Sequence, residues 1–263
     1  MNKYAVVLAA GKGTRMKSSL HKVLHQVLGK SMVDHAVTNL EKIGVDKIVT
    51  VIGYEAESVR AELQDRVEYA MQTEQLGTGH AVMMTKELLE GLDGVTIVTY
   101  GDVPLLTEQT ISNLFDYHQS QKAAITILTA CTDNPTGYGR IIRDEEGNVL
   151  RIVEQKDANT EELLVKEINT GVCCYDNKVL FEALTKITNN NSQGEYYLTD
   201  LVGIIRDMGL KVVAYVNEDF EETLGVNDRV QLAYAEKVLR KRINEFHMRN
   251  GVTIIDPEAT YIG

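Results

Sequence analysis

Residues Val6 to Leu24 read VVLAAGKGTRMKSSLHKVL. An apolar run stops at a Gly-x-Gly turn, and Lys12, Arg15, Lys17 and Lys22 follow it. Gly11 and Gly13 permit positive φ and close backbone approach. Unpaired N–H groups in such a turn can cradle phosphate oxygens. Arg15 matches phosphate geometry with its planar fork, and Lys22 adds a point charge. The chemistry this suits is capture and polarisation of a small polyanion. A plain tight turn is the competing reading. The pattern is neither a GxGxxG fingerprint, since Met16 occupies the third glycine position, nor a GxxxxGK[ST] phosphate loop. A second chemical candidate is Asp102, which follows the strand-like run VTIVTYG. Its carboxylate is a hard oxygen ligand suited to Mg²⁺, although a lone Gly-Asp pair is more often a turn or a helix cap.

The charge distribution supports a local anion site. The 263 residues carry a formal net charge of -11, yet residues 1–33 hold six of the 27 Lys/Arg and none of the 38 Asp/Glu. An acidic body argues against nucleic acid as a partner. Cys131, Cys173 and Cys174 form no CxxC pair and no zinc-spaced Cys/His cluster. They read as buried structural thiols in a reducing cytoplasm. If Cys173 and Cys174 lie on a strand, they point to opposite faces. Tyr4 to Ala10 is at the short limit of a signal-peptide core and is followed by a cationic loop, so a buried strand explains it better. No run approaches the length of a membrane span.

The elements that must position these residues are legible as alternation. Strand patterns fall at 3–10, 47–53, 67–71, 95–101 and 123–131, with amphipathic segments at about 31–43, 55–64, 77–90 and 107–120. This predicts an α/β fold with a Rossmann-like, mostly parallel sheet and helices on both faces. The turn after the first strand then lies at the sheet's carboxyl edge, where open α/β sheets bind ligands. Beyond residue 133 the strands crowd together, at 139–144, 148–154 and 167–175, as in a mixed insertion at the sheet's edge walling the site. Helical patterns return at 176–186 and 198–208, followed by a strand at 211–216. The NNNSQG stretch at 189–194 reads as a surface loop. Residues 228–249 read as one long helix with a partial apolar stripe from Val230 to Phe246, capped by Asn227 or Asp228. The segment after Gly251 reads as the beginning of another structure.

Several stretches, in chain order, carry a resemblance: LAAGKGTRM with Lys22, EQLGTGHA (74–81), YGDVPL (100–105), DNPTGYGRI (133–141), VEQKDA (153–158), EINTG (167–171), NNNSQGEYYLTD (189–200) and GVNDR (225–229). Together they resemble the sugar-phosphate nucleotidylyltransferases, and among them the N-acetylglucosamine-1-phosphate uridylyltransferases that form the N-terminal half of a bacterial bifunctional enzyme. The resemblance spans essentially the whole chain. It departs at His21, where that family often has Pro before the loop lysine, and a looser loop backbone is the expected consequence.

The resemblance implies the nucleotide-diphospho-sugar transferase fold and a Mg²⁺-dependent reaction. UTP and N-acetylglucosamine 1-phosphate would give UDP-N-acetylglucosamine and pyrophosphate for cell-envelope synthesis. It implies catalytic roles for Arg15, Lys22 and Asp102, with Asp102 and Asn227 holding the metal. Leu8, Ala9, Ala10, Gly11, Gln72, Gly77 and Thr78 would contact the nucleoside. Tyr100, Gly101, Gly139, Glu154, Asn169, Tyr197 and Thr199 would complete the substrate site. On residue type alone, Gln72 is an ordinary exposed residue, Glu154 a solvated strand-end carboxylate, and His80 a residue packed at its helix start. The resemblance further implies a transferase domain over 1–227, a linker helix over 228–250, and over 251–263 the first part of a left-handed β-helix. Acetyl transfer is not expected from this chain. The full-length family is expected to be trimeric through the β-helix, and this form a monomer.

Overall fold

A computed structural model describes residues 1–262. Its central sheet contains β1 (Lys3–Leu8), β4 (Lys47–Ile52), β5 (Glu68–Met71), β6 (Val95–Tyr100), β7 (Ile125–Cys131), β10 (Glu167–Asp176) and β11 (Val212–Asn217), in spatial order β11-β7-β10-β6-β1-β4-β5. The pairs β1–β4, β1–β6, β4–β5 and β7–β11 are parallel, and β10 is antiparallel to both neighbours. A separate hairpin joins β2 (Gln26–Val27) to β3 (Lys30–Ser31), and β8 (Arg140–Arg143) and β9 (Val149–Val153) extend from β10.

The first half follows the expected alternation, because strand and helix periods are strong there. Tyr4, Val6 and Leu8 face one core while Ala5, Val7 and Ala9 face the other, the period-2 signature of a strand buried on both sides. Helices α1 (Met32–Lys42), α2 (Ala56–Leu63) and α5 (Glu108–Gln121) cover one face. The other is covered by α3 (Thr78–Met83), α4 (Lys86–Leu89), α6 (Asn177–Leu184) and α7 (Leu201–Asp207). The single helix expected over 77–90 divides because the Thr85 hydroxyl donates to the Val82 carbonyl at 2.7 Å, a local bond that competes with the helix ladder.

Three expectations need correction. The mixed insertion does not sit at the sheet's edge: β10 lies centrally, between β6 and β7. Its Cys173 enters one core and Cys174 the other, so the strand is covered on both faces as an interior strand must be. Burial pushes the Cys173 thiol up to about 12, whereas Cys131 is exposed rather than buried. The stripe on α8 (Arg229–Arg249) is also incomplete. Ala235 and Val238 are buried, but Val230 and Phe246 are exposed. Residues 251–262 contain turns and irregular chain, tied to α8 where the Asn244 amide donates to the Pro257 and Thr260 carbonyls. No described helix is long and apolar enough to cross a membrane.

Candidate active site

Parallel register aligns the ends of the strands. Leu8 stands opposite Val51 and Tyr100, and Ile52 opposite Met71. The residues that follow, Ala9 to Gly11, Gln72, and Gly101 with Asp102, therefore emerge along one carboxyl edge. Two adjoining cavities open there. One, of about 370 Å³, is lined by Leu8, Ala9, Ala10, Gly11, Lys22, Gln72, Gly77 and Thr78. The other, of about 450 Å³, is lined by Arg15, Gly139, Glu154, Asn169, Tyr197 and Thr199. Thr78, Tyr100, Asp102, Glu195 and Asn227 line both. Gly101 lines neither: its N–H donates to the Leu8 carbonyl at 3.0 Å.

The cationic loop is shaped by one glycine rather than two. Gly13 has φ +60°, and a methyl there would collide with the Lys22 side chain. Gly11 lacks positive φ and faces open space. His21 is buried, with φ -55°, inside the range a proline imposes. The missing proline therefore leaves the backbone where a proline would put it. The His21 ring stacks on Tyr54, and neither ring nitrogen has a hydrogen-bond partner. Burial holds this imidazole below its ordinary range. Not all six early cations serve the loop. Lys3 lies over the Phe115 ring, and Lys30 sits on the β2–β3 hairpin.

At the border of the cavities, Lys22 Nζ pairs with Asp102 Oδ2 and donates to Asn227 Oδ1 at 3.1 Å, while Arg15 donates to the same Asn227 oxygen at 2.8 Å. Asp102 is not a helix cap, since Thr107 caps α5. Asp228 caps α8, its carboxylate accepting from Val230 and Gln231 N–H. That leaves the Asn227 side chain free to face the cavity. The Val226 N–H donates to the Asp102 carbonyl at 2.8 Å, fixing the two loops together.

Three residues differ from their sequence reading. Gln72 is buried, its amide held by the Gly77 carbonyl and by His80 Nδ1, each at 3.1 Å. His80 thus supports Gln72 rather than merely packing. Glu154 is sheltered, not solvated. Burial raises its pKa, the Thr199 hydroxyl donated at 3.1 Å offsets part of that, and Asp157 and Asp200 add to the rise. Asn169 accepts from the Gly171 N–H at 3.0 Å, so its NH₂ is the end left for a ligand. Tyr100 is pushed well above the ordinary phenol range by burial, with Cys173, Asp102 and Glu154 adding to it.

Sequence reasoning missed several supporting groups. Gln231 accepts from the Asn227 N–H at 2.7 Å, and its place three residues after the Asp228 cap is a capping-box signal that could have found it. Arg229 donates to the Met16 carbonyl at 3.2 Å, anchoring the cationic loop to α8. Gln193, in the loop taken as surface, donates to the Tyr197 hydroxyl at 2.7 Å. These last two lie in stretches that carry the resemblance, NNNSQGEYYLTD and GVNDR, but residue type alone marks neither contact.

The cationic loop at one sheet edge, the carboxylate facing it and the two adjoining cavities define a nucleotide-handling transferase site. The Nucleotidyl transferase family model matches residues 4–228, and the chain belongs to that family. It is similar to curated proteins named Bifunctional protein GlmU. That of Enterococcus faecalis is 59% identical over 261 residues, 99% of this chain and 57% of the relative. That of Pediococcus pentosaceus is 59% identical over 262 residues, 100% of this chain and 56% of the relative. That of Limosilactobacillus reuteri is 59% identical over 258 residues, 98% and 57%. The chain thus spans a little over half the length of these relatives.

Proposed function

We propose that the chain transfers UMP from UTP to N-acetylglucosamine 1-phosphate, forming UDP-N-acetylglucosamine and releasing pyrophosphate in the cytoplasm, in the service of cell-envelope synthesis. The carrying observation is that Arg15, Lys22, Asp102 and Asn227 meet at the border shared by the two cavities. A phosphate passing between two ligands would sit at such a border. The cavity beside β1 and β5 takes the nucleotide, and the cavity beside β9 and β10 takes the sugar. Similarity to the bifunctional relatives supports the same reading.

The phosphate oxygen of the sugar attacks the α-phosphorus, and the bond from that phosphorus to the α,β-bridging oxygen breaks. Pyrophosphate departs with the bond pair. The attacker is already an anion at neutral pH, so no general base is needed. The obstacles are repulsion between anions and charge on the leaving group, which fixed cations and positioning overcome. Arg15 and Lys22 bind phosphate oxygens and hold the reacting groups together. Glu154, Thr199 and the Asn169 NH₂ orient the sugar.

The residues present fit a divalent ion. Among the described residues no group of three or more His, Cys, Asp or Glu side chains is placed to hold a metal. However, the Asp102 carboxylate and the Asn227 amide oxygen already share one cation, the Lys22 ammonium. Two hard oxygen donors leave the remaining positions to water and substrate phosphate, as Mg²⁺ prefers. Asp102 and Asn227 would hold it, and it would neutralise phosphate charge when bound.

The test is a pyrophosphate-release panel crossing UTP, dTTP, CTP, GTP and ATP with several sugar 1-phosphates, with and without Mg²⁺. Turnover should be highest with UTP and N-acetylglucosamine 1-phosphate and should require the ion. Asp102→Ala should lower it at least about 10²-fold. Preference for another base would overturn the substrate assignment, and full activity of Asp102→Ala the metal assignment.

A further inference from the structure

The base cavity contains an amide whose direction is fixed by its neighbours. The Gly77 carbonyl oxygen lies 3.1 Å from one terminal atom of the Gln72 side chain. A carbonyl oxygen can only accept, so that atom must be the NH₂. The same atom lies 3.1 Å from His80 Nδ1. Both amide hydrogens are thereby used, one on Gly77 and one on His80. Nδ1 must present its lone pair, which places the imidazole proton on Nε2. Gln72 Oε1 has no protein partner and belongs to a residue lining the base cavity. The cavity therefore offers the base an acceptor at this point, not a donor.

We propose that His80 is a positioning residue for base selection: by accepting from the Gln72 NH₂ it turns Oε1 toward the base, so that the site favours a base with a ring N–H, as uracil has at N3, over cytosine, whose N3 is a lone pair. This rests on the uridylyl reading above and deepens it. Gly77 and His80 hold the amide together, Gly77 preceding α3 and His80 lying within it. The His80 ring is in turn steadied by the Tyr196 ring, at a centroid distance of 6.4 Å. With His80 in its other tautomer, an Nδ1–H would attract the amide oxygen, reverse the amide, and set two carbonyl oxygens against each other at Gly77. The tautomer and the base preference are therefore one arrangement. Leaving a buried amide half-anchored weakens the discrimination, because an unfixed amide can present either end.

The experiment compares the wild-type chain with His80→Phe and His80→Asn, measuring kcat/KM for UTP and CTP with the sugar 1-phosphate saturating, and KM for the sugar 1-phosphate separately. His80→Phe keeps a ring of similar bulk but has no acceptor. It should lower the UTP:CTP ratio about tenfold, the size of one lost hydrogen bond, and leave KM for the sugar 1-phosphate within about twofold. His80→Asn places an amide oxygen near the Nδ1 position and should restore most of the ratio. An unchanged ratio in His80→Phe, or equal losses for both substrates, overturns the proposal. Should His80→Phe not fold, long-range ¹H–¹⁵N spectra of the wild-type chain decide it. An unprotonated Nδ1 with a protonated Nε2 near neutral pH sustains the arrangement, and a protonated Nδ1 overturns it. A wild-type chain that does not prefer UTP counts against the uridylyl reading itself, independently of what the variants show.

Discussion

The cavity beside β1 and β5 is walled in large part by small residues at the sheet edge, and the cavity beside β9 and β10 more by polar side chains. In the first, Ala9 and Gln72 N–H groups are spent on Val51 and Ile52 carbonyls, holding Leu8 to Gly11 and Gln72 along the sheet edge. Small residues there let a ligand reach the backbone. In the second, Glu154, Asn169, Tyr197 and Thr199 project polar atoms from an antiparallel insertion and the loop before α7. A backbone wall costs little, because the sheet satisfies it. A wall of sheltered polar side chains costs stability until a ligand pairs with it. The nucleotide side should therefore fail through lost charge, and the sugar side through lost shape or lost polar partners.

Arg15→Ala tests the border between the two sides, because Arg15 lines the β9–β10 cavity and reaches Asn227, which lines both. Arg15 is exposed, and its side-chain bond to Asn227 is a single contact, so folding should be little changed. Turnover should fall about 10²- to 10³-fold, as when one preorganised transition-state donor is lost. KM for either substrate should move far less. Steady-state kinetics checks this, and a loss confined to KM would place Arg15 in binding alone.

Gly171→Ala should strike the sugar side. Gly171 has φ +88°, and a methyl there would lie 2.6 Å from the Tyr100 ring. Left-handed backbone costs a non-glycine residue about 1–2 kcal/mol, and Tyr100 must move besides. The substitution also shifts the bulge in β10 from which Asn169 projects. KM for the sugar 1-phosphate should rise about tenfold or more. KM for UTP should change less, although Tyr100 borders both cavities. Equal rises would erase the proposed division between the two sides.

That division does not decide what could be read from the sequence, since β8, β9 and β10 on the sugar side were legible to within a residue or two. Elements of the nucleotide side were legible to the same precision, such as β4 at Lys47–Ile52 and α1 at Met32–Lys42, because period-2 and 3.6 patterns dominate in both. The loop chemistry was legible because glycines and cations stand out in an acidic chain. The β2–β3 hairpin was not, being two residues to a strand. Nor was the central place of β10, since strand order is set by tertiary pairing rather than by local pattern. Glu154 and Gln72 read as exposed for a related reason. Thr199, distant in sequence, shelters Glu154, and Gln72 is enclosed by the nearby Gly77 turn and α3, whose packing over it residue type does not announce.

Glu154→Gln separates stability from function. Burial raises the folded-state pKa of Glu154 above that of an unfolded glutamate. The ionised carboxylate is therefore a net cost above the raised value, and the cost vanishes once pH falls below the unfolded value, about 4.3. Gln keeps an acceptor for the Thr199 hydroxyl and removes the charge. The variant should be more stable than wild type in urea at pH 8, with the gap closing near pH 4. Its KM for the sugar 1-phosphate should rise about three- to tenfold as a charge-assisted hydrogen bond is weakened. Equal stability at both pH values would mean Glu154 is better solvated than its surroundings indicate.

The smallest expected effect is also the strictest test that the nucleotide side depends on backbone. His21 already has φ -55°, its N–H makes no backbone hydrogen bond among the described residues, and its buried ring leaves both nitrogens unpaired. His21→Pro therefore breaks no backbone hydrogen bond and fixes an angle already adopted, while emptying the ring's space against Tyr54. His21→Ala empties much the same space without fixing the angle. Comparing the two cancels most of the cavity and leaves chain entropy, so Pro should be more stable than Ala by about 0.4–1 kcal/mol in urea denaturation. Turnover of His21→Pro should stay within about threefold of wild type, because Lys22 keeps its backbone position. If Pro proves no better than Ala, the φ at residue 21 is held by the ring and not by the chain, and the cationic loop then belongs with the side-chain-built half of the site.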